Sequence, residues 1–161
     1  MLMTQPTESY LTFKLDNELF AINVSKVLEI LEIKPITKIP KAPSFMKGVI
    51  NLRGNILPVI DTRNKFCLPQ YDFTIDTCII VLNINADKDS LLVGAIVDSV
   101  QKVIDIPVDC IQPSSSIGAI YREDFINGIA KIEDDFIMIL NIDRVFSAED
   151  ISVMEMDKQM A

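Results

Sequence analysis

The chain has no histidine and no tryptophan, and only five glycines and three cysteines among its 161 residues. Without histidine there is no Ser–His or Cys–His pair for nucleophilic catalysis, and the commonest metal ligand is missing. The glycines form no phosphate-cradling loop. Cys67, Cys78 and Cys110 are odd in number, far apart and without a CxxC. A disulfide framework or a zinc site is therefore not expected; the cysteines read as buried or half-buried thiols in a reducing cytosol. No apolar run approaches the roughly 18–20 residues of a membrane span. Met1 to Tyr10 lacks the basic and apolar regions of a signal peptide. A soluble cytoplasmic chain is expected. The adjacent acids Asp134 and Asp135 fall on a hairpin turn, which turn chemistry explains better than acid–base catalysis. Asp72, Asp76, Asp87 and Asp89 lack the glycine and terminal glutamate of a calcium loop. Taken together, these absences favour a binding module with no cofactor and no metal over an enzyme.

What is present is aliphatic. Hydrophobic residues make up 49% of the chain, enough for a sizeable core, and the Ile and Val among them suit strands. The net charge of −8 argues against nucleic acid and anionic membrane as partners. The charge is uneven, however. Lys34, Lys38, Lys41, Lys47, Arg53, Arg63 and Lys65 share one stretch with a single acid, Asp61, giving +6 there against −14 elsewhere. Either these cations pair with the protein's own acids or sit in water, or they form a contact patch suited to an acidic partner surface.

The pattern is almost entirely β. Leu11, Phe13 and Leu15 alternate with polar residues, Asp16-Asn17-Glu18 turns the chain, and Phe20, Ile22 and Val24 alternate on the return. A second hairpin runs from Val49–Arg53 through Gly54-Asn55 to Ile56–Asp61, and glycine first in the turn predicts type II′. Pro58 removes a ladder donor and predicts an edge strand or a bulge. Cys78–Ile84 and Leu91–Val97 make a third hairpin across Asn85–Ser90. Pro113–Asn127 and the tail from Ala148 read as loop or helix.

The chain also repeats itself. Phe45–Phe66 aligns without gaps on Phe125–Phe146, with Phe45/Phe125, Gly48/Gly128 and Phe66/Phe146 identical and apolar positions in step. A weaker echo pairs the stretch from Ala21 with that from Gly94. Two similar β units follow, each marginal alone at ~60 residues, so a shared apolar interface is expected. A glycine common to both copies predicts equivalent backbone needs at Gly48 and Gly128. Between copies, Glu29 and Arg53 become Lys102 and Glu133. This reversal predicts a cross-strand ion pair in each unit, with coincidence among surface charges as the alternative.

These segments resemble the CheW-like family of chemotaxis coupling proteins. The opening YLTFKLDNELFAINVSKVLEIL, the stretch PSFMKGVINLRGNILPVIDTR with NLRG at Asn51–Gly54, VGAIVDSVQKV and FINGIAKIEDDFIMILNID occur in the family's order from about Tyr10 to Phe146. Thr62 departs from the Leu common there. The resemblance implies an all-β fold of two SH3-like five-stranded β-barrels packed on each other, with a short C-terminal helix. One domain over 10–146 is implied, with units of roughly 10–72 and 77–146 that can exchange strands, a flexible 1–9 and a tail or helix over 147–161. No receiver or kinase domain is attached, so the stand-alone adaptor form is expected. The family implies two partners, the regulatory domain of a CheA-type histidine kinase and the cytoplasmic helical tip of a chemoreceptor, with recruitment to membrane receptor arrays but no insertion. Receptor coupling carries over to Glu29 and Arg53, with Asn51 and Gly54 of the same motif, and Val27, Ile30, Val100 and Val103 are candidate groove residues beside a core reading. Kinase binding carries over to Pro43, Phe45 and Gly48. Three readings compete: an adaptor of the same fold in a type IV pilus or other chemosensory pathway, an oligonucleotide-binding β-barrel, and an enzyme. The second needs exposed aromatics beside a basic groove, whereas aromatics are 7% here and the repeated phenylalanines read as core.

Overall fold

The alternation at the start of the chain becomes strands β1 (Thr7–Leu15) and β2 (Glu18–Asn23). Asp16 and Asn17 between them have φ of 52° and 68°, a two-residue type I′ turn whose twist suits the strands and whose left-handed residues Asp and Asn tolerate. The computed structural model of the chain describes residues 7–70, 72–86, 89–113 and 126–145. Strand β1 begins within the 1–9 segment expected to be flexible. A 3-10 turn leads to β3 (Val27–Glu32), then come β4 (Met46–Leu52), β5 (Asn55–Asp61) and the short helix α1 (Thr62–Lys65). The second half supplies β6 (Cys78–Ala86), β7 (Asp89–Val97), β8 (Ser99–Pro107), β9 (Ile111–Pro113), β10 (Ile126–Ile132), β11 (Asp135–Leu140) and the short helix α2 (Ile142–Val145). The expected C-terminal helix or tail over 147–161, and Phe125 and Phe146 of the repeat, lie outside the described residues.

The strands form two sheets, ordered β3-β6-β7-β5-β4 and β8-β1-β2-β11-β10-β9. Each closes through a strand that bends. Beyond β3 the chain runs on to Thr37, which exchanges two 2.9 Å backbone hydrogen bonds with Val49 of β4. Beyond β8, β9 pairs with β10 in the same way. With β8 and β9 taken as one bent strand, each barrel has five strands.

The barrels do not follow the sequence halves. Hairpin β1–β2 belongs with β8–β11, and hairpin β6–β7 with β3–β5, so a division at 10–72 and 77–146 cuts both barrels. Each copy lends its first hairpin to the other. The registers show that the loan is reciprocal: β5 runs parallel to β7 with Val59 facing Gly94, and β11 runs parallel to β2 with Ile139 facing Ala21, the corresponding residues of the repeat. Bulges recur too, between Met46 and Gly48 and between Ile126 and Gly128. A Cβ on Gly48 would meet Thr37 O at 2.2 Å and Ile36 Cγ2 at 2.8 Å; on Gly128 it would meet Gln112 O at 2.3 Å and Ile111 Cγ2 at 2.8 Å. Both glycines let the bent closing strand approach.

This exchange explains why β6 reads as a continuous apolar run. Ile79 and Val81 face the first barrel's interior with Ile50, Leu57 and Val59. Ile80, Leu82 and Ile84 face the other way, into a cluster with Leu11, Phe13, Leu15, Phe20 and Ile22 of the second barrel. All five of these β6 residues are fully buried, and each contributes about 1.5–3 kcal/mol. The shared apolar interface is this cluster. Polar clamps flank it. Arg63 of α1 forks onto Asp98, with Nε to Oδ1 at 2.8 Å, and approaches Asp16 at 3.6 Å. At the corresponding place in the second copy, Asp143 of α2 accepts from Lys26 Nζ at 2.8 Å and from the backbone N–H of Asn85 at 2.9 Å. Charge is therefore reversed between the copies here, at positions the sequence comparison did not single out.

Three local expectations change. The second hairpin turns on Arg53-Gly54, with φ of 51° and 86°, because Leu52 pairs with Asn55; the turn is type I′, not II′. Strand β5 lies inside its sheet, not at an edge; the bulge in its ladder with β4 falls on β4, between Met46 and Gly48, and Pro58 sits just before the ladder with β7 begins. Cys67 and Cys110 are exposed, and only Cys78 is half-buried, its thiol pushed up chiefly by burial.

Candidate functional site

The candidate site centres on the tip of the β4–β5 hairpin. Asn51 Oδ1 accepts from the Gly54 N–H at 2.7 Å and ties the turn across its base. Arg53 stands out from it, 69% exposed. Its guanidinium forks onto Glu29 of β3, Nη2 to Oε1 and Nη1 to Oε2 both at 2.7 Å. Planar donors meet a planar carboxylate in the bidentate arrangement that lysine cannot make. The two residues are not ladder partners, since Glu29 pairs with Val81. Glu29 lies on β3 and Arg53 on the turn that follows β4, strands at opposite ends of the sheet order, so the pair bridges the seam where the barrel closes. The Arg53 hydrogen bond, aided by the fields of Arg53 and Lys34, holds the Glu29 carboxyl below the usual carboxylate range despite some desolvation. The same bond raises Arg53.

The expected counterpart in the second unit does not form. Among the described residues there is no ion pair between Lys102 and Glu133. Both are exposed. A lysine ammonium gains too little from one exposed carboxylate to hold its long side chain in place. Lys102 is instead fixed at its backbone, its N–H donating to Thr12 Oγ1 at 3.2 Å and its carbonyl accepting from the same hydroxyl at 2.8 Å.

The four groove candidates divide evenly. Val27 and Val100 are half-buried against the interface cluster. Ile30 and Val103 are 46% and 57% exposed. Ile30 follows Glu29 on β3 but faces the other way, opposite Ile80 where Glu29 is opposite Val81, and Val103 lies on β8 in the other barrel. Leu28 on the same strand is exposed as well, at 54%. Leu28 is the residue bulged out between Val27 and Glu29, and its apolar type gave no sign in the sequence that it faces solvent. Of the kinase-side candidates, only Pro43 reaches the surface, and its carbonyl accepts from Met46 N–H at 2.9 Å. Phe45 is 7% exposed in the interface cluster, and Gly48 is buried under Thr37. Neither offers a side chain to a partner; they shape the segment from below. Phe66 likewise packs inward, its ring centroid 5.9 Å from that of Phe20, so neither of these phenylalanines forms a platform for stacked bases.

Among the described residues no group of three acidic or thiol side chains could hold a metal, and no helix is long and apolar enough to cross a membrane. The model of the CheW-like domain matches residues 9–150. The chain is 30% identical to a chemotaxis protein CheW of Klebsiella aerogenes, over 92% of this chain and 87% of that one. It is 32% identical to a chemotaxis protein CheW of Thermotoga maritima, over 90% of each. A crystal structure of the scaffolding protein TtCheW from Thermoanaerobacter tengcongensis superposes with a TM-score of 0.79 at 34% identity, covering 90% of this chain and 96% of that one. With both the sequence pattern and the paired barrels accounted for over nearly its whole length, the chain belongs to the CheW-like family.

Proposed function

We propose that this protein is a non-catalytic scaffold of chemotaxis signalling that couples the helical tip of a chemoreceptor to the regulatory domain of a CheA-type histidine kinase, working in the cytoplasm at membrane receptor arrays. The observation that carries the reading is the Glu29–Arg53 fork, held at a hairpin tip and on a strand whose Leu28 and Ile30 are exposed. Exposed aliphatic side chains on the strand that carries the fork suit the apolar face of a bound helix. Val103 would extend a receptor contact on the second barrel, with Val27 and Val100 supporting from beneath. The kinase would meet the segment around Pro43, which Phe45 and Gly48 hold in shape. Signal transmission is then a matter of differential affinity: a scaffold that binds one receptor or kinase state more tightly shifts both equilibria.

Titration calorimetry with the cognate kinase regulatory domain, without nucleotide, tests the reading. Binding at or below tens of micromolar, on the order of a transient signalling contact, is expected. No detectable binding there, together with no effect of the protein on receptor-dependent kinase activity, would overturn it.

A further inference from the structure

Seven basic residues lie between Lys34 and Lys65, and the fold gives four of them partners. Arg53 is forked on Glu29 and Arg63 on Asp98. Lys47 Nζ lies 5.5 Å from the centroid of the Phe73 ring, and Lys65 Nζ lies 4.8 Å from that of Phe45, both within cation–π range. Lys34, Lys38 and Lys41 remain. All three are exposed, and among the described residues none is within ion-pair distance of a carboxylate. They share the link between β3 and β4, whose course is pinned by the Thr37–Val49 bridge.

Lys41 occupies an unusual position. The Ala42 N–H donates to Ile39 O at 3.3 Å, so Pro40 and Lys41 are the central residues of a turn. Proline suits the first of these. Lys41 has a φ of 65°, at a position where glycine or asparagine is the usual choice. Arg53 at the neighbouring hairpin tip is left-handed as well. Lys41 and Arg53 thus stand at turn tips; Glu133 shares the left-handed position of Arg53 in the second copy, so what sets the first copy apart is the sign of the charge. Lys34 lies two residues beyond the end of β3, the strand that carries Glu29.

We propose that Lys34, Lys38 and Lys41 make the β3–β4 link an electrostatic docking strip for a carboxylate-rich segment of a protein partner. The inference rests on the reading of this face as partner-facing but does not depend on which partner it meets. A protein segment fits better than the other polyanions. Lipid-binding clusters carry about four to eight cations close together, and three are free here. Residues outside the Lys34–Lys65 stretch sum to −14, which repels a membrane or a nucleic acid that spreads beyond the strip. A short acidic segment touches the strip alone.

The test is an amide NMR titration of the full 15N-labelled chain with a synthetic peptide carrying glutamate at alternate positions. The amides of residues 34–41 should shift most, and affinity should fall roughly tenfold between ~20 and ~150 mM salt. The triple variant K34Q/K38Q/K41Q, with its amide spectrum otherwise preserved, should lose the interaction, and K34R/K38R/K41R should retain it. The proposal is overturned if the shifts fall elsewhere or are absent, if the glutamine variant binds as the parent does, or if phosphatidylserine vesicles or single-stranded DNA bind the same amides more tightly. Kinase and receptor titrations of the same variants separate the two readings. A chain that binds the peptide through the strip but neither signalling partner refutes the coupling role and leaves the strip standing.

Discussion

Arg53 and Glu29 form a pair whose value lies in orientation. Both are at the surface, and an exposed pair adds little to folding. Arg53→Glu should therefore unfold at nearly the parent temperature by circular dichroism yet lose receptor-dependent kinase activation. Adding Glu29→Arg restores the pair with reversed polarity; recovery would show that the pair orients the surface, and continued loss that a partner reads the charges directly. The pair also has an acid limit. Glu29 is held below its usual pKa, so the contribution of the pair is complete above the unfolded-state value and is lost as pH falls through the depressed one. An NMR titration of the Glu29 carboxyl should show a midpoint below that of an ordinary glutamate, and Arg53→Ala should return it to normal. Two glycines give a contrast at the same scale. Gly48→Ala drives a Cβ into the Thr37 carbonyl at 2.2 Å, and overpacking of this kind costs about 1–3 kcal/mol. Gly54→Ala meets nothing within 4 Å, and only its left-handed φ of 86° opposes it, at roughly 1 kcal/mol. Urea unfolding should rank Gly48→Ala as the more damaging.

Among the elements, the bent closing strands and the two short helices matter most. Helices α1 and α2 contain four residues each, too short to be stable on their own. Each places one charged side chain, Arg63 or Asp143, against the other barrel. The Arg63 side chain is 12% exposed and Asp98 is 32% exposed. Breaking a fully buried pair costs roughly 3–5 kcal/mol, and partial exposure of Asp98 lowers that to about 1–3 kcal/mol. Arg63→Ala should lose that much in urea unfolding, and Lys26→Ala, which removes a single-pronged partner from Asp143, should lose less. Some of this was legible in the sequence. The shared Phe and Gly positions identified β4–β5 and β10–β11 as copies. The clamp was not legible, because Arg63 and Asp143 align as unlike charges, and their partners Asp98 and Lys26 come from segments where the alignment is weak.

At the level of the whole molecule, the exchanged hairpins make the chain one cooperative unit. Neither half contains a complete barrel: the first lacks β6 and β7, and the second lacks β1 and β2. Fragments cut between Lys65 and Cys78 should each be unstructured alone by circular dichroism and should regain the native spectrum when mixed. A half that folds by itself would contradict this. The intact chain should unfold in one transition by near- and far-UV signals alike.

By itself the sequence determined the β class, the hairpins, the duplication and the family, because these rest on local period, turn chemistry and motif order. It also determined the equivalence of Gly48 and Gly128, since a missing side chain in both copies marks a backbone contact whatever lies opposite. Only the tertiary structure decided which strands share a barrel, because apolar alternation says that a strand has a buried face but not which sheet covers it. It decided too that Glu29 meets Arg53 whereas Lys102 does not meet Glu133, since the planar guanidinium forks onto its carboxylate and an exposed ammonium gains little from one. Finally, it sorted the basic stretch into partnered and free cations, because whether a lysine faces a ring, an acid or water depends on residues distant in the chain.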